Sequence, residues 1–351
     1  MQAPVIHVNG LTSIVRERLL PVPGTVLARL NQKVSALDVV AQTSWAREHL
    51  LLDVTRILRV TSNVADRLIT CNVGDRIAVG AVITAGKGLF SRRVRAPRDG
   101  RVVAVGGGKV LMEVGVTKVE LRAGIPGTVV QVLPNHGVVI QTAGALIQGV
   151  WGNGRIASGT LVNLAEKPDG ILTVGRLDVS LRGSIILAGI VNDVETLQAA
   201  AGLPVRGLIL SSILPALIQK AMEMRYPILV TDGFGSLPMN SAAYKLLSTN
   251  ARRDVTVNAE IHDRYSGARP EVIIPLPISE IPLIPREVET FAPGLQVRMR
   301  LAPALGMIGS IVALKSGLTR LPSGLQAPAA EVKLENGETV IVPLVNLEFM
   351  G

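Results

Sequence analysis

Asn31-Gln32-Lys33-Val34-Ser35-Ala36-Leu37-Asp38-Val39-Val40 aligns position by position with Gly74-Asp75-Arg76-Ile77-Ala78-Val79-Gly80-Ala81-Val82-Ile83. Each stretch is a turn-prone pair, a charged residue, a β-branched residue, two small residues, a second turn and a β-branched pair. That is how a tight strand corner reads. The chain carries one local β unit twice.

Gly24-Thr25-Val26 leads into the first unit, and Arg95-Ala96-Pro97-Arg98-Asp99-Gly100-Arg101-Val102-Val103 follows the second. Together these residues resemble the barrel-sandwich hybrid of biotinyl and lipoyl carrier domains, over about residues 20–116. The resemblance implies two half-barrels packed as flattened sheets about a pseudo-twofold axis. In carrier members it also implies a modified lysine at a hairpin tip, in Met-Lys-Met or Asp-Lys-Ala. Neither tripeptide occurs here. Lys109 beside Gly106-Gly107-Gly108, and Lys87 between glycines, read as lysines that solvate glycine turns. No cofactor is expected. The same barrel also occurs without a cofactor as an interaction module in large assemblies, such as RNA polymerase, electron-transfer complexes and membrane-fusion adaptors.

With 351 residues the chain can hold two to four domains with real cores. Apolar residues make up 48 % and charged residues 18 %, so the surface must be partly apolar and self-association into a homo-oligomer is expected. The longest apolar runs, near 184–191 and 208–218, fall short of a bilayer span. The N-terminal residues lack a basic segment followed by an apolar core and cleavage site, and Cys71 is the single cysteine, so a cytoplasmic location is expected. His7, His49, His136 and His262 have no partners at metal spacing, and no metal site is expected.

Charge is unevenly spread. Lys and Arg outnumber Asp and Glu 17 to 9 over residues 1–120, equal them at 14 each over 121–290, and stand 5 to 4 over 291–351. The excess concentrates in Lys87, Arg92, Arg93, Arg95, Arg98 and Arg101, which face only Asp99 in sequence. Arg93 and Arg95 alternate on a strand pattern and so share a face. Guanidinium forks suit phosphate and carboxylate. These six residues are the candidate anion or partner surface, with a merely solvated face as the competing reading.

The pattern along the chain predicts an α+β multi-domain protein. Residues 1–118 form the barrel-sandwich hybrid, with a helical insertion at about 45–70 read from Leu50, Leu51, Val54, Ile57 and Leu58. Residues 119–180, short strands between glycine turns, form a small β subdomain. The Gly149-Val150-Trp151-Gly152-Asn153-Gly154 run within it lacks the strand-to-helix context of a nucleotide loop.

Residues 181–285 alternate continuous apolar strands with helical patterns, which predicts a Rossmann-like parallel sheet covered on both faces. Ligands in such sheets bind beyond the carboxyl ends of the strands. There stand Ser211, Ser212, Thr231, Asp232, Gly233 and Gly235, with Asn240 capping the next helix, as a candidate site for a small anionic ligand.

Proline-rich residues 269–286 lead into residues 286–351. Gly294 to Arg300 alternates, Gly306 and Gly309 precede Ile311 to Leu314, and Glu331 to Pro343 reads as a hairpin around Asn336-Gly337. These residues resemble a KOW motif in an SH3-like barrel. The resemblance implies contact with transcription or translation machinery, but this segment is nearly neutral and poor in aromatics, which favours protein over RNA as its partner.

No nucleophile elbow, zinc-protease pair or P-loop occurs, and no catalytic residue is assigned. The reading is a non-enzymatic cytoplasmic interaction or scaffold protein, an accessory factor docking on transcription or translation machinery through its β barrels. The alternative is a ligand-sensing or enzyme-associated subunit using the strand ends at Ser211 and Asp232.

Overall fold

The computed structural model describes residues 2–85, 93–263, 265, 267–276, 282–286 and 288–351. Lys87 and Arg92 lie outside the described residues. Strands hold 45 % of the chain and helices 15 %, so sheets position every candidate site.

β1 (Val8–Leu19), β2 (Thr25–Val26), β3 (Lys33–Val34) and β4 (Val39–Asp53) open the chain. Two short helices follow, α1 (Val54–Leu58) and α2 (Ser62–Leu68), then β5 (Arg76–Ile77), β6 (Gly100–Gly106) and β7 (Lys109–Arg122). These make a five-stranded sheet in the order β2-β4-β7-β6-β5. Of the helical insertion expected at 45–70, residues 54–58 and 62–68 are helix, whereas 45–53 continue β4 as strand. Leu50, Leu51 and Leu52 also satisfy a period of two: Leu51 is exposed and Leu52 buried, and Leu52 stands opposite Val110. Tertiary pairing overrides the local helical spacing. His49 sits on that strand opposite Glu113.

The helices cover the hairpin tip between β6 and β7. Val54 N–H donates to Gly108 O at 3.0 Å, and Asp66 accepts from Gly108 N–H at 2.7 Å. A Cβ on Gly108, which has φ +74°, would collide with the Thr55 methyl. Lys109 is exposed beside this covered tip, across from Asp53.

β8 (Gly127–Leu133), β9 (Gly137–Gln148), β10 (Trp151–Gly152) and β11 (Ile156–Asn163) come next. They are followed by β12 (Ile185–Leu187), α3 (Val194–Gly202), β13 (Gly207–Ile213), α4 (Ile218–Glu223), β14 (Ile228–Phe234), α5 (Ser241–Thr249), β15 (Asp254–Asn258) and β16 (Glu271–Pro275). All the strands lie in one long sheet, β10-β14-β13-β12-β11-β15-β16-β9-β8-β3, with β1 also paired to β9. β11 to β14 run parallel. α3 and α4 pack Leu197 and Ala221 on one face against Leu208, Leu210 and Val230. α5 packs Ala243 and Leu247 on the other against Ile209, Leu229 and Val257.

The boundary expected at 180/181 thus falls inside a continuous sheet. The Gly-rich run forms its edge. Asn153 is buried, donating to Ala221 O and Tyr226 O and accepting from Ile228 N–H, and a Cβ at Gly152 would meet the Ala259 carbonyl.

β17 (Gln296–Met299), β18 (Ile308–Leu314), β19 (Ala329–Leu334), β20 (Thr339–Pro343) and β21 (Leu347–Met350) form a six-stranded antiparallel sheet completed by Val5–Ile6, which runs parallel to β21. Lys333 pairs with Thr339 around the expected Asn336-Gly337 turn, where Gly337 has φ +90°. Gln2–Ala3 pair with Glu289–Thr290, Val5–Ile6 join the C-terminal sheet and β1 joins the long sheet, so none of them is part of the N-terminal unit expected over residues 1–118.

Candidate functional site

The two copies of the β unit share a set of backbone hydrogen bonds. Asn31 N–H donates to Val129 O and Gly74 N–H to Val102 O, both at 2.8 Å. Val129 N–H returns to Gln32 O and Val102 N–H to Asp75 O, both at 2.9 Å. Asp38 bonds back to Ser35 and Ala81 to Ala78, each at 3.1 Å. Asn31 and Gly74 both take positive φ. Each unit therefore includes a later segment, Ala123 to Val129 in the first and Ala96 to Val102 in the second.

That second segment of the first unit went unread in the sequence. Its signal was visible: Pro23-Gly24-Thr25-Val26 recurs as Pro126-Gly127-Thr128-Val129. At Gly24, Gly100 and Gly127 a Cβ would collide with the carbonyl oxygens of Gln42, Glu113 and Gln141, so each hairpin requires glycine for close strand approach.

The copies differ in what covers them. In the first, Ile125 and Ile14 are each 1 % exposed and share one apolar core. Counting across the paired strands, Arg98 replaces Ile125 and Glu48 replaces Ile14. Arg98 and Glu48 form an ion pair, both about half exposed. Ala36, 1 % exposed, becomes Val79 at 61 %. The second copy presents to solvent the face that the first uses to dock on the rest of the chain.

Arginines border this face. Arg76 on β5 stands directly opposite Arg101 on β6, a like-charge pair that costs stability unless compensated. Arg101 reaches Glu113 at 3.1 Å. Asp99 accepts from Val79 N–H at 2.6 Å, and Arg95 donates to Gly80 O at 2.7 Å. Val94 and Ala96 are buried, so Arg93 and Arg95 share the exposed side as their alternation predicts. The side chains of Arg76 and Arg93 have no hydrogen bond or ion pair with any described residue. An open groove of about 1090 Å³ runs between Arg76, Val79, Arg98, Arg101 and Glu113. Arg98 and Arg101 thus belong to the groove but are already neutralised, which the sequence pattern could not reveal because Glu48 and Glu113 come from distant strands.

The strand-end cluster is also brought together, in a different role. Thr231, Asp232 and Asn240 are buried. The Asp232 carboxylate accepts from Thr231 Oγ1 at 2.7 Å, Asn240 Nδ2 at 3.0 Å and Asn240 N–H at 3.1 Å. Asn240 Oδ1 caps α5 by accepting from Ala243 N–H. Arg298, on β17 of the C-terminal sheet, reaches Asp232 Oδ1 at 3.2 Å and Glu348 at 2.7 Å. Ser241, at the start of α5, donates at 2.8 Å to Glu335, in the turn that follows β19. The anions gathered by this loop and helix start are the protein's own carboxylates. Ser212 is bonded both ways to the Leu237 backbone at 3.0 Å, while Gly233 and Gly235 turn the chain at φ +151° and +100°. Ser211 Oγ is buried without a hydrogen-bond partner among the described residues.

Among the described residues no group of three or more His, Cys, Asp or Glu is arranged to hold a metal ion. Among the described residues no helix is long and apolar enough to cross a membrane. No protein-family model and no curated protein matches the chain.

Proposed function

We propose that this chain is a non-enzymatic interaction protein that docks on an anionic partner assembly through the exposed copy of its repeated β unit. The observation that carries this reading is the paired contrast between copies: Ile14, Ile125 and Ala36 are buried in the first, and Glu48, Arg98 and Val79 are exposed in the second. A unit that buries this face once is suited to burying it again, against another molecule. Arg76, Arg93 and Arg95 supply positive charge with no carboxylate partner among the described residues.

In this reading the N-terminal region is a barrel-sandwich hybrid without a carrier lysine. The parallel strands form a Rossmann-like frame, and the C-terminal sheet is an SH3-like barrel of the KOW kind. The assembly is cytoplasmic, in transcription or translation. The ligand-sensing alternative has weaker support, since Arg298 and Glu335 fill the strand-end site from within.

Self-association belongs to the same proposal, because Leu283, Val179, Leu325 and Leu318 are 90, 77, 69 and 65 % exposed. Light scattering at micromolar concentration should return more than the 37.1 kDa of one chain; a lone monomer contradicts it.

The docking test is affinity capture with two baits, the wild type and a variant in which Arg76, Arg93 and Arg95 are serine. Polymerase or ribosomal components held by the first and lost by the second support the proposal. Equal retention by both overturns it.

A further inference from the structure

Resting on that reading, we infer that the groove beside β5 takes an extended peptide segment of a partner protein, one with a carboxylate next to an aliphatic side chain. Three observations combine to select this occupant.

The first is the groove's position. Among the described residues β5 is the outermost strand of the five-stranded sheet, so its outer edge is open to pairing with an extended chain. The groove, about 1090 Å³, has room for several residues in extended form.

The second is the charge pattern. Arg98 and Arg101 are held by Glu48 and Glu113, and Asp99 lies between them. A polyphosphate backbone tracking this groove would bring its charges against two carboxylates, Asp99 and Glu113. Arg76 is the groove cation with no partner among the described residues, and it faces Arg101 across the strand pair. One carboxylate placed there relieves the like-charge pair and forms a charge-assisted fork. The flanking Asp99 and Glu113 suit peptide N–H donors, which a phosphodiester lacks.

The third is the apolar floor. Val79 is 61 % exposed, and Ile77 and Pro97 also line the groove. An aliphatic side chain beside the carboxylate covers Val79, as Ala36 is covered in the first copy. No aromatic side chain lines the groove among the described residues, so base stacking has no platform.

The full chain is titrated with a fluorescein-labelled octapeptide repeating Asp-Ser-Val-Ser, which puts aspartate and valine on one face of the extended chain, with its asparagine counterpart, and with oligothymidylate. The aspartate peptide should bind saturably and about tenfold tighter than the asparagine peptide. Arg76→Glu should remove that preference, Arg76→Lys should keep most of it, and Val79→Ser should weaken both peptides. Arg76 and Val79 are exposed, and unchanged melting curves verify that the variants fold. Equal affinity for the two peptides, or a preference that survives Arg76→Glu, overturns the inference. Oligothymidylate binding that depends on Arg76 and exceeds peptide binding overturns it while leaving docking on an anionic partner intact. If no probe binds, both fall.

Discussion

Arg298 Nη1 lies 3.2 Å from Asp232 Oδ1, and this pair joins the C-terminal sheet to the end of the parallel strand β14. The Arg298 side chain is 6 % exposed and that of Asp232 not at all. Glu348 takes the other guanidinium nitrogen and is itself held by Arg269 at 3.0 Å, so the chain of charges runs Asp232, Arg298, Glu348, Arg269. Removing one member leaves buried charge uncompensated.

Arg298→Met should therefore cost about 3–5 kcal/mol of folding stability. Urea denaturation checks this. A loss below about 1 kcal/mol would mean that the network is solvated and not a joint between the sheets.

The repeated units give a matched pair of tests. Ile14→Ala should cost about 2–5 kcal/mol, because it opens a cavity in a packed core. Glu48→Ala, at the equivalent place in the second copy, should cost less than about 1 kcal/mol, because its ion pair with Arg98 is exposed. Similar losses for both would contradict the assignment of one buried and one open copy.

Gly100→Ala and Gly127→Ala should both destabilise by well over about 1 kcal/mol, since each new Cβ meets a carbonyl oxygen across the hairpin. Gly175→Ala meets nothing and needs no positive φ, so it should be neutral or stabilising by up to about 1 kcal/mol. Thermal melting of the three variants compares them directly.

Burial pushes the thiol of Cys71 above its ordinary range, and burial likewise raises the phenol of Tyr226, which donates to Leu197 O at 2.8 Å. Both are acids kept neutral by the fold, so on raising pH the unfolded chain ionises first. Their contribution is complete below the ordinary thiol range and is lost as pH climbs through the folded values. Stability measured in urea should fall on the alkaline side, more gently in a Cys71→Ala, Tyr226→Phe variant; identical alkaline slopes would contradict this. Cys71 should also resist thiol reagents near neutral pH until the chain unfolds.

Much of the fold could be read from local pattern. The repeat at 31–40 and 74–83, the alternation at 294–300 and the apolar strands of 185–259 each report a short-range geometry that the sequence imposes by itself. Reading stopped where pairing is long-range. Val5 and Ile6 join strands near residue 350, and β4 is a strand because Val110 and Met112 lie beside it. The arginine cluster was legible as charge, but its neutralisation by Glu48 and Glu113 was not. Asp232 looked like a ligand residue for sound reasons of strand-end chemistry; only the folded chain brings Arg298 to it.

The central claim is that the exposed copy of the β unit is the docking face. Its most direct test is titration of the full chain with poly-L-glutamate over a range of salt concentrations, for the wild type, for a variant with Arg76, Arg93 and Arg95 replaced by serine, and for a chain lacking residues 291–351 whose folding is verified separately. The account predicts wild-type binding that weakens steadily as salt rises, and loss of most of that binding in the arginine variant. It also predicts retained binding in the folded truncated chain. Binding that survives the three replacements but disappears with the truncation would contradict it.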